Sequence, residues 1–401
     1  MANLLVVSNY PDEQFKANVS MFVYLQIQFV RRYFDNVYVL APTPYVPRAL
    51  APLGKRWPRI AQCLAKRDYS YENVRVFFPR YLPWVGHQTS AKRVAHTYPI
   101  LLRTLRRHGL MFDLIHGHMS PNGWYVAQMS QDFHVPGVLT VHENHDTLMS
   151  LLKAREAELV RGYRDVTEMI RVSPFDIADI QEVCGPRKIH YIPNGFDPTR
   201  VPAEDRATLR RQLHLPLDRP IFVSVALWEP RKDPLILMEA LRRLVASGRK
   251  PQPLWVLVGD MHMAGPVQEK IDADGLGAHV IMTGLKPPNE VLRYMKASDA
   301  VVLFSHSEGN PTVMFEALGC GRPYIGSDVG GVRAVLTDDR LGLAGPPRDL
   351  EVATRLLQQA LDRQWDEEYI IQHARQYSWQ AIAERINNEI YQPLLARRGF
   401  S

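Results

Sequence analysis

The sequence predicts an α/β protein built from two doubly wound, largely parallel sheets, and three observations carry that expectation. Short apolar runs rich in β-branched residues alternate with helical patterns along nearly the whole chain. A stretch rich in turn formers and proline interrupts the alternation near the middle. The chain has 401 residues, more than one hydrophobic core usually serves.

The elements follow in order. Residues 3–9 (NLLVVSN) are a buried-type strand ending in a turn signal, and residues 37–41 (VYVLA) repeat it after the amphipathic segment 21–33. Further strand-like runs at 114–116, 138–141, 171–173 and 189–192 alternate with helical patterns such as 122–131 and 152–166. The first half therefore reads as an open parallel sheet. Residues 194–204 (NGFDPTRVPAE) mark the boundary. Beyond it the rhythm restarts with strands at 221–226, 254–259, 280–283, 300–305 and 324–327, and helices at 234–246, 267–274, 289–296, 311–320 and 350–363. Two such domains are expected to face a cleft at the C-terminal ends of their strands, where open α/β sheets bind ligands.

Composition excludes several classes. No run reaches the roughly 18 uncharged apolar residues of a membrane span, and residues 1–10 lack the pattern of a signal peptide. A soluble cytoplasmic protein is expected. Cys63, Cys184 and Cys320 fit neither a disulfide framework nor a zinc site. Charge is uneven: residues 1–110 hold sixteen Lys and Arg against five Asp and Glu, whereas the remaining 291 hold 32 against 37.

The densest chemical signal is residues 305–331, SHSEGNPTVMFEALGCGRPYIGSDVGG. A buried-type strand ends in a polar loop, Asn310 suits an N-cap, and Pro311 suits the first helical position. Glu308 then lies just outside a helix and Glu316 about five residues inside it, about 7.5 Å along the axis. The free amides of residues 309–312 and the helix dipole offer an anion site between the two carboxylates. Glu316 sits among Val313, Met314, Phe315, Ala317 and Leu318, so it is expected to be partly buried and to want a polar partner.

These residues resemble the nucleotide-sugar signature of the retaining GT-B glycosyltransferases, family 4 (glycosyl transferases group 1), and residues 18–23 (NVSMFV) resemble the first loop of its bacterial surface-polysaccharide branch. The glutamate spacing, the Gly-x-Pro after the first Glu, the small residues after the second and the later Gly-Gly all agree with that family. So do residues 258–260 (VGD), 283–285 (TGL), 298–304, 192–197 (IPNGFD) and 378–379 (SW), in the family's order. The resemblance implies two Rossmann-like domains, 1–195 for the acceptor and 196–377 for the nucleotide-sugar, with residues 378–401 returning as a helix to the first. It implies that Glu308 holds the donor sugar and Glu316 the ribose. Gly309, Asn310, Pro311, Thr312 and Val313 would flank the diphosphate, and Gly284 and Leu285 the base.

Residues 228–235 (WEPRKDPL) offer Arg231 and Lys232 where a departing diphosphate needs neutralising. The family places a Gly-Arg-Leu…Lys cluster here, but Val225, Ala226 and Leu227 stand in place of Gly-Arg-Leu. Lys232 is the preferred counterpart of the Lys, with Arg231 standing in for the absent Arg. On the acceptor side, His118 and His142 both follow strands. The resemblance matches His142 to the family's His-Gly-x-Asp turn, with Glu143 in place of Gly and the acid delayed to Asp146. The family's first-loop glycine is replaced by Ser20. Asp272-Ala273-Asp274 imitates a metal-binding Asp-x-Asp but reads as surface charge, and neither a metal nor another cofactor is expected.

Residues 48–67 interleave Leu50, Leu53, Trp57, Ile60 and Leu64 with six cations, and residues 91–107 add five. Such segments suit an anionic membrane surface, so peripheral attachment at the inner face and a lipid-linked acceptor are expected. No nucleic-acid reader motif occurs. The resemblance implies hexosyl transfer, with retention, from a UDP- or GDP-linked sugar to a hydroxyl of a lipid-linked or polysaccharide-precursor glycan. A nucleotide-sugar 2-epimerase and an inactive donor-binding scaffold are the alternatives.

Overall fold

The computed structural model describes residues 2–13, 21–55, 58–82, 90–260 and 262–397. The chain divides into two compact units, one of residues 1–193 with 382–401 and one of residues 194–381.

The first unit contributes β1 (Ala2–Val7), β2 (Phe34–Leu40), β3 (Thr43–Pro44), β4 (Tyr69–Tyr71), β5 (Val74–Phe77), β6 (Arg80–Tyr81), β7 (Leu114–His118), β8 (Gly137–Val141), β9 (Glu168–Arg171) and β10 (Ile189–Tyr191). Eight of them form one sheet in the order β10-β9-β8-β7-β1-β2-β5-β4, and β3 and β6 pair separately. The strand order reverses between β1 and β7, where β1 has parallel neighbours on both sides. The sheet is not wholly parallel as the sequence suggested, because β4 runs antiparallel to β5. Glu72 turns that hairpin with φ 48°. The Asn73 amide anchors it by donating to the Arg31 and Phe34 carbonyls at 3.0 and 2.9 Å.

Two further readings also differ. The pattern at 152–166 belongs to two helices, His145–Ala154 and Ala157–Asp165, parted by Arg155 in the left-handed region. The strand expected at 171–173 lies three residues earlier: β9 spans Glu168–Arg171, with charged residues at both its ends, and only Arg171 of the expected run belongs to it. The C-terminal segment Gln392–Ala396 follows a π turn, Asn387–Tyr391, which points the Tyr391 hydroxyl at His116 Nδ1, 2.5 Å away.

The second unit holds β11 (Ile221–Val225), β12 (Leu254–Val258), β13 (Val280–Gly284), β14 (Ala300–Leu303), β15 (Tyr324–Ser327) and β16 (Gly342–Gly345). They pair in the order β13-β12-β11-β14-β15-β16, all parallel. This is the doubly wound order, with its reversal between β11 and β14. β12 reads LWVLV and is buried throughout, as a central parallel strand covered on both faces should be. Phe222, Trp255 and Leu257 pack there against Leu237, Leu241 and Leu357 from flanking helices. β16 gives no strand signal because it reads GLAG. Its Gly342 is required, since a Cβ there would lie 2.0 Å from the Tyr324 carbonyl oxygen.

No helix among the described residues is long and apolar enough to cross a membrane.

Candidate active site

In the second unit the candidate residues gather at the point where the strand order reverses. β11 leads through the fully buried Trp228 into the loop carrying Arg231 and Lys232. The Trp228 indole donates to the Val258 carbonyl (3.2 Å) and its amide to that of Asp260 (2.8 Å), so the loop is fixed to the end of β12. Asp233 caps the helix Pro234–Ala246 by accepting from the Ile236 amide (3.1 Å), and its second oxygen meets His306 Nε2 at 2.7 Å. The His306 amide in turn donates to the Arg231 carbonyl at 2.8 Å. The loops after β11 and β14 are thus laced together, which brings three expected side chains into contact.

Glu308 is 7% exposed. The Lys232 ammonium pairs with its Oε1, and Arg231 Nη1 lies 3.2 Å from its Oε2. Arg231 also donates to the Ser307 carbonyl (2.7 Å) and is braced by Glu229 at 2.7 Å. Burial alone would raise the Glu308 carboxyl, but the charges of Lys232 and Arg231 outweigh it and hold the group below its ordinary value. The Gly-Gly after β15 explains how the loop is held. A Cβ on Gly330 (φ +54°) would lie 2.4 Å from the Glu308 carbonyl oxygen, and the Gly331 amide donates to the Gly309 carbonyl at 2.9 Å.

The helix after this loop spans Thr312–Gly319. Asn310 is not its N-cap, contrary to the sequence reading. Pro311 flanks the helix with extended backbone, and Asn310 Oδ1 instead accepts the Asn194 amide hydrogen at 2.9 Å, while Asn194 Nδ2 donates back to the Asn310 carbonyl at 3.1 Å. The helix starts one residue late because the Asn194 backbone amide claims the side-chain oxygen a cap would use. In its first turn the Met314 amide bonds the Pro311 carbonyl at 3.1 Å, and the Thr312 and Val313 amides precede the first i to i−4 bond of the helix. Glu316 is half-buried on this helix, and burial pushes its carboxyl up to about 7 against the opposing charge of Arg200. At the end of β13, Gly284 adopts φ +69° and Leu285 is 63% exposed.

In the first unit His118 and His142 come together. His118 Nδ1 lies 3.1 Å from His142 Nε2, and the rings of His116, His118 and His142 stack in sequence with centroids 4.3 and 5.3 Å apart. Phe22 lies against His142 at 4.5 Å. Burial drops the His118 imidazole to about 3 and that of His116 well below its usual range, so both are neutral. Glu143, where the family has Gly, turns inward: it is 5% exposed and its Oε1 accepts the Ser120 amide hydrogen at 2.7 Å. Ser20 lies outside the described residues.

The family profile "Glycosyl transferases group 1" matches residues 205–377, and the profile "Glycosyltransferase Family 4" matches residues 23–200. The chain belongs to the group 1, family 4 glycosyltransferases.

Among its relatives is a Bacillus subtilis protein assigned as a teichuronic acid biosynthesis glycosyltransferase, 28% identical over 84% of this chain and 83% of its own. Another is the Escherichia coli UDP-Gal:α-D-GlcNAc-diphosphoundecaprenol α-1,3-galactosyltransferase, 27% identical over 68% of this chain and 71% of its own. In structure this glycosyltransferase resembles sucrose-phosphate synthase from Thermosynechococcus elongatus, with a TM-score of 0.74, 19% identity, and 99% and 100% of the two chains covered. It also resembles Anabaena Alr3699/HepE in complex with UDP, with a TM-score of 0.72, 20% identity, and 97% and 100% covered. The fold is GT-B.

Several residues of this glycosyltransferase were not singled out from sequence. Glu229 and the Asp233–His306 pair act only through three-dimensional contacts. Asp233-Pro234 carries a readable helix-start signal. Buried Arg171 and Asp176 are a second case, and a charged residue ending an apolar run was the available cue. The Asp-x-Asp imitation is used locally: Asp274 pairs with Lys270 at 2.7 Å and Asp272 accepts from Gln268 at 2.8 Å. No group of three His, Cys, Asp or Glu side chains among the described residues is placed so that it could hold a metal ion.

Proposed function

We propose that this glycosyltransferase moves a hexosyl group, with retention of anomeric configuration, from a UDP- or GDP-linked sugar to a hydroxyl of a lipid-linked or polysaccharide-precursor glycan. The observation that carries the reading is the buried Glu308 carboxylate held between Lys232 and Arg231 where the strand order reverses, eight residues before half-buried Glu316. Relatives named for teichuronic acid synthesis and for transfer from UDP-Gal to a diphosphoundecaprenol-linked sugar support the acceptor class. A neighbour in fold that holds UDP supports the donor class. These relatives are named as transferases, which disfavours an epimerase or an inactive scaffold.

In this reading Glu316 binds the ribose hydroxyls, and Gly284 and Leu285 flank the base. Glu308 orients the donor sugar. Lys232 and Arg231, with the amides of Gly309, Asn310, Thr312 and Val313 around Pro311, neutralise the diphosphate as its bond to the anomeric carbon breaks. The acceptor oxygen forms the new bond on the same face, and its proton passes to the leaving phosphate oxygen. His142 faces the reacting sugar, with His118 and Ser20 on the acceptor side. Cations and amides carry the phosphate charge, so no metal or other cofactor takes part. The protein works in the cytoplasm, with the basic segments in residues 48–107 resting on an anionic membrane surface.

The test is transfer by purified protein from UDP- and GDP-sugars to undecaprenyl-diphosphate-linked glycans, with and without excess EDTA. We expect an axial-to-axial or equatorial-to-equatorial outcome by NMR of the product and equal rates with EDTA. An inverted product would overturn the retaining assignment. Glu316→Ala is expected to raise the donor KM, whereas Glu308→Ala lowers kcat by at least about 100-fold, the scale of losing one preorganised transition-state contact. Wild-type kinetics in both variants would remove the site assignment.

A further inference from the structure

We propose that Arg171 is a positioning residue for His142, a role that rests on the reading of His142 given above. Arg171 ends β9 and is wholly buried. Its Nη1 donates to the carbonyls of Val141 (3.0 Å) and Glu143 (2.8 Å), the residues on either side of His142. Its Nε and Nη2 both face Asp176 Oδ2, the former at 3.0 Å. The second Asp176 oxygen meets His145 Nδ1 at 2.8 Å.

This is an expensive way to satisfy two carbonyls. A guanidinium withdrawn from water must be neutralised and fully hydrogen-bonded, and Asp176 is buried with it for that purpose. Only a planar fork reaches two acceptors and a carboxylate at once, so Lys cannot replace it. The residue so gripped is the one whose ring points at His118. A second anchor acts from the other side, where Glu143 accepts the Ser120 amide hydrogen and the Met119 amide donates to the Thr140 carbonyl at 2.9 Å. The loops carrying His118 and His142 are therefore fixed at both backbones, and the 3.1 Å contact between the two rings is the outcome.

The experiment compares Arg171→Met/Asp176→Asn with the wild type and with His142→Ala in the full chain. The double variant removes both buried charges together, so neither is stranded. A misplacement of about 1 Å at a reacting group costs on the order of 100-fold in rate, so kcat per folded molecule is expected to fall by about 30- to 100-fold. Donor KM and the thermal shift produced by UDP should stay within about twofold of wild type on that scale, and the His142 ring signals should move in histidine-selective NMR. Should the double variant fail to fold, Arg171→Lys keeps the charge but not the fork, and the same kcat loss at unchanged KM is expected. If His142→Ala loses activity while the Arg171 variants keep wild-type kcat and unmoved ring signals, Arg171 is merely structural and the proposal fails. If His142→Ala itself keeps wild-type kcat, the role of His142 falls, and the positioning role with it.

Discussion

Glu308 and Glu316 stand eight residues apart in sequence, yet their surroundings drive their carboxyls in opposite directions. Two cations hold Glu308 ionised, whereas burial, opposed only by the charge of Arg200, pushes the Glu316 carboxyl up to about 7. Divergent environments of this kind separate the tasks of paired acids. The Glu316 shift has a defined sign for stability. A carboxyl raised on folding stabilises fully only below its unfolded value of 4.5, and that contribution is lost as pH climbs through about 7. Above pH 7 the folded state therefore carries a penalty, about 1–3 kcal/mol once partial exposure is discounted. Glu316→Gln should melt a few degrees higher than wild type at pH 8 and match it at pH 4, while binding UDP about tenfold more weakly through loss of a charged acceptor. Melting curves at both pH values with a UDP titration check this; equal melting at pH 8 would mean the carboxyl is not held up. Wild-type affinity for UDP should also weaken as pH falls below 7.

The loop after β14 takes its shape from elements far away in sequence. Gly330 approaches the Glu308 carbonyl so closely, and at so positive a φ, that Gly330→Ala must both strain its own backbone and displace the loop. A cost of about 1–3 kcal/mol is expected from such a position, and kcat should fall by more than the loss of folded protein explains, because the displaced residue is Glu308. Circular-dichroism melting paired with active-site titration separates the two effects. Gly265→Ala, where an added Cβ meets nothing within 4 Å, is the control. The same contact shows what sequence could and could not reveal. Strands such as β12 and β14 were readable because every residue is apolar, and the Glu308–Glu316 spacing was readable because loop and helix are contiguous. The partners of Glu308 were legible only as an Arg-Lys pair suited to a diphosphate, 76 residues before it at Lys232, and the Asn194–Asn310 exchange that displaces the helix cap was not legible. β16 and the antiparallel β4 also escaped, one through glycine in place of β-branched residues and one through its three-residue length. Hydrogen bonds between distant loops leave no periodicity to detect.

At the scale of the whole chain, charge is the feature that remains to be tested. The excess of cations lies in residues 1–110, and the structure sorts them. Lys66 is not on the surface, since it is buried with its ammonium 5.3 Å from the Phe78 ring and its pKa lowered by burial. Arg103, Arg106 and Arg107 are exposed on the last turns of the helix Ser90–Arg107, and Arg48 and Leu50 are exposed on the 3₁₀ segment Arg48–Lys55. Each exposed cation near an anionic bilayer contributes about 1 kcal/mol, within a Debye length of about 10 Å at 0.1 M salt. Replacing Arg103, Arg106 and Arg107 by Ser should therefore reduce binding to phosphatidylglycerol-containing vesicles by about 10- to 100-fold. Transfer to a water-soluble acceptor analogue should be unchanged, because those side chains lie at the far end of a surface helix from its N-terminus and make no contact with His118 or His142 among the described hydrogen bonds. Vesicle sedimentation across a salt series reads the outcome. A wild-type protein that sediments equally with neutral and anionic vesicles would show that the basic half serves something other than a membrane.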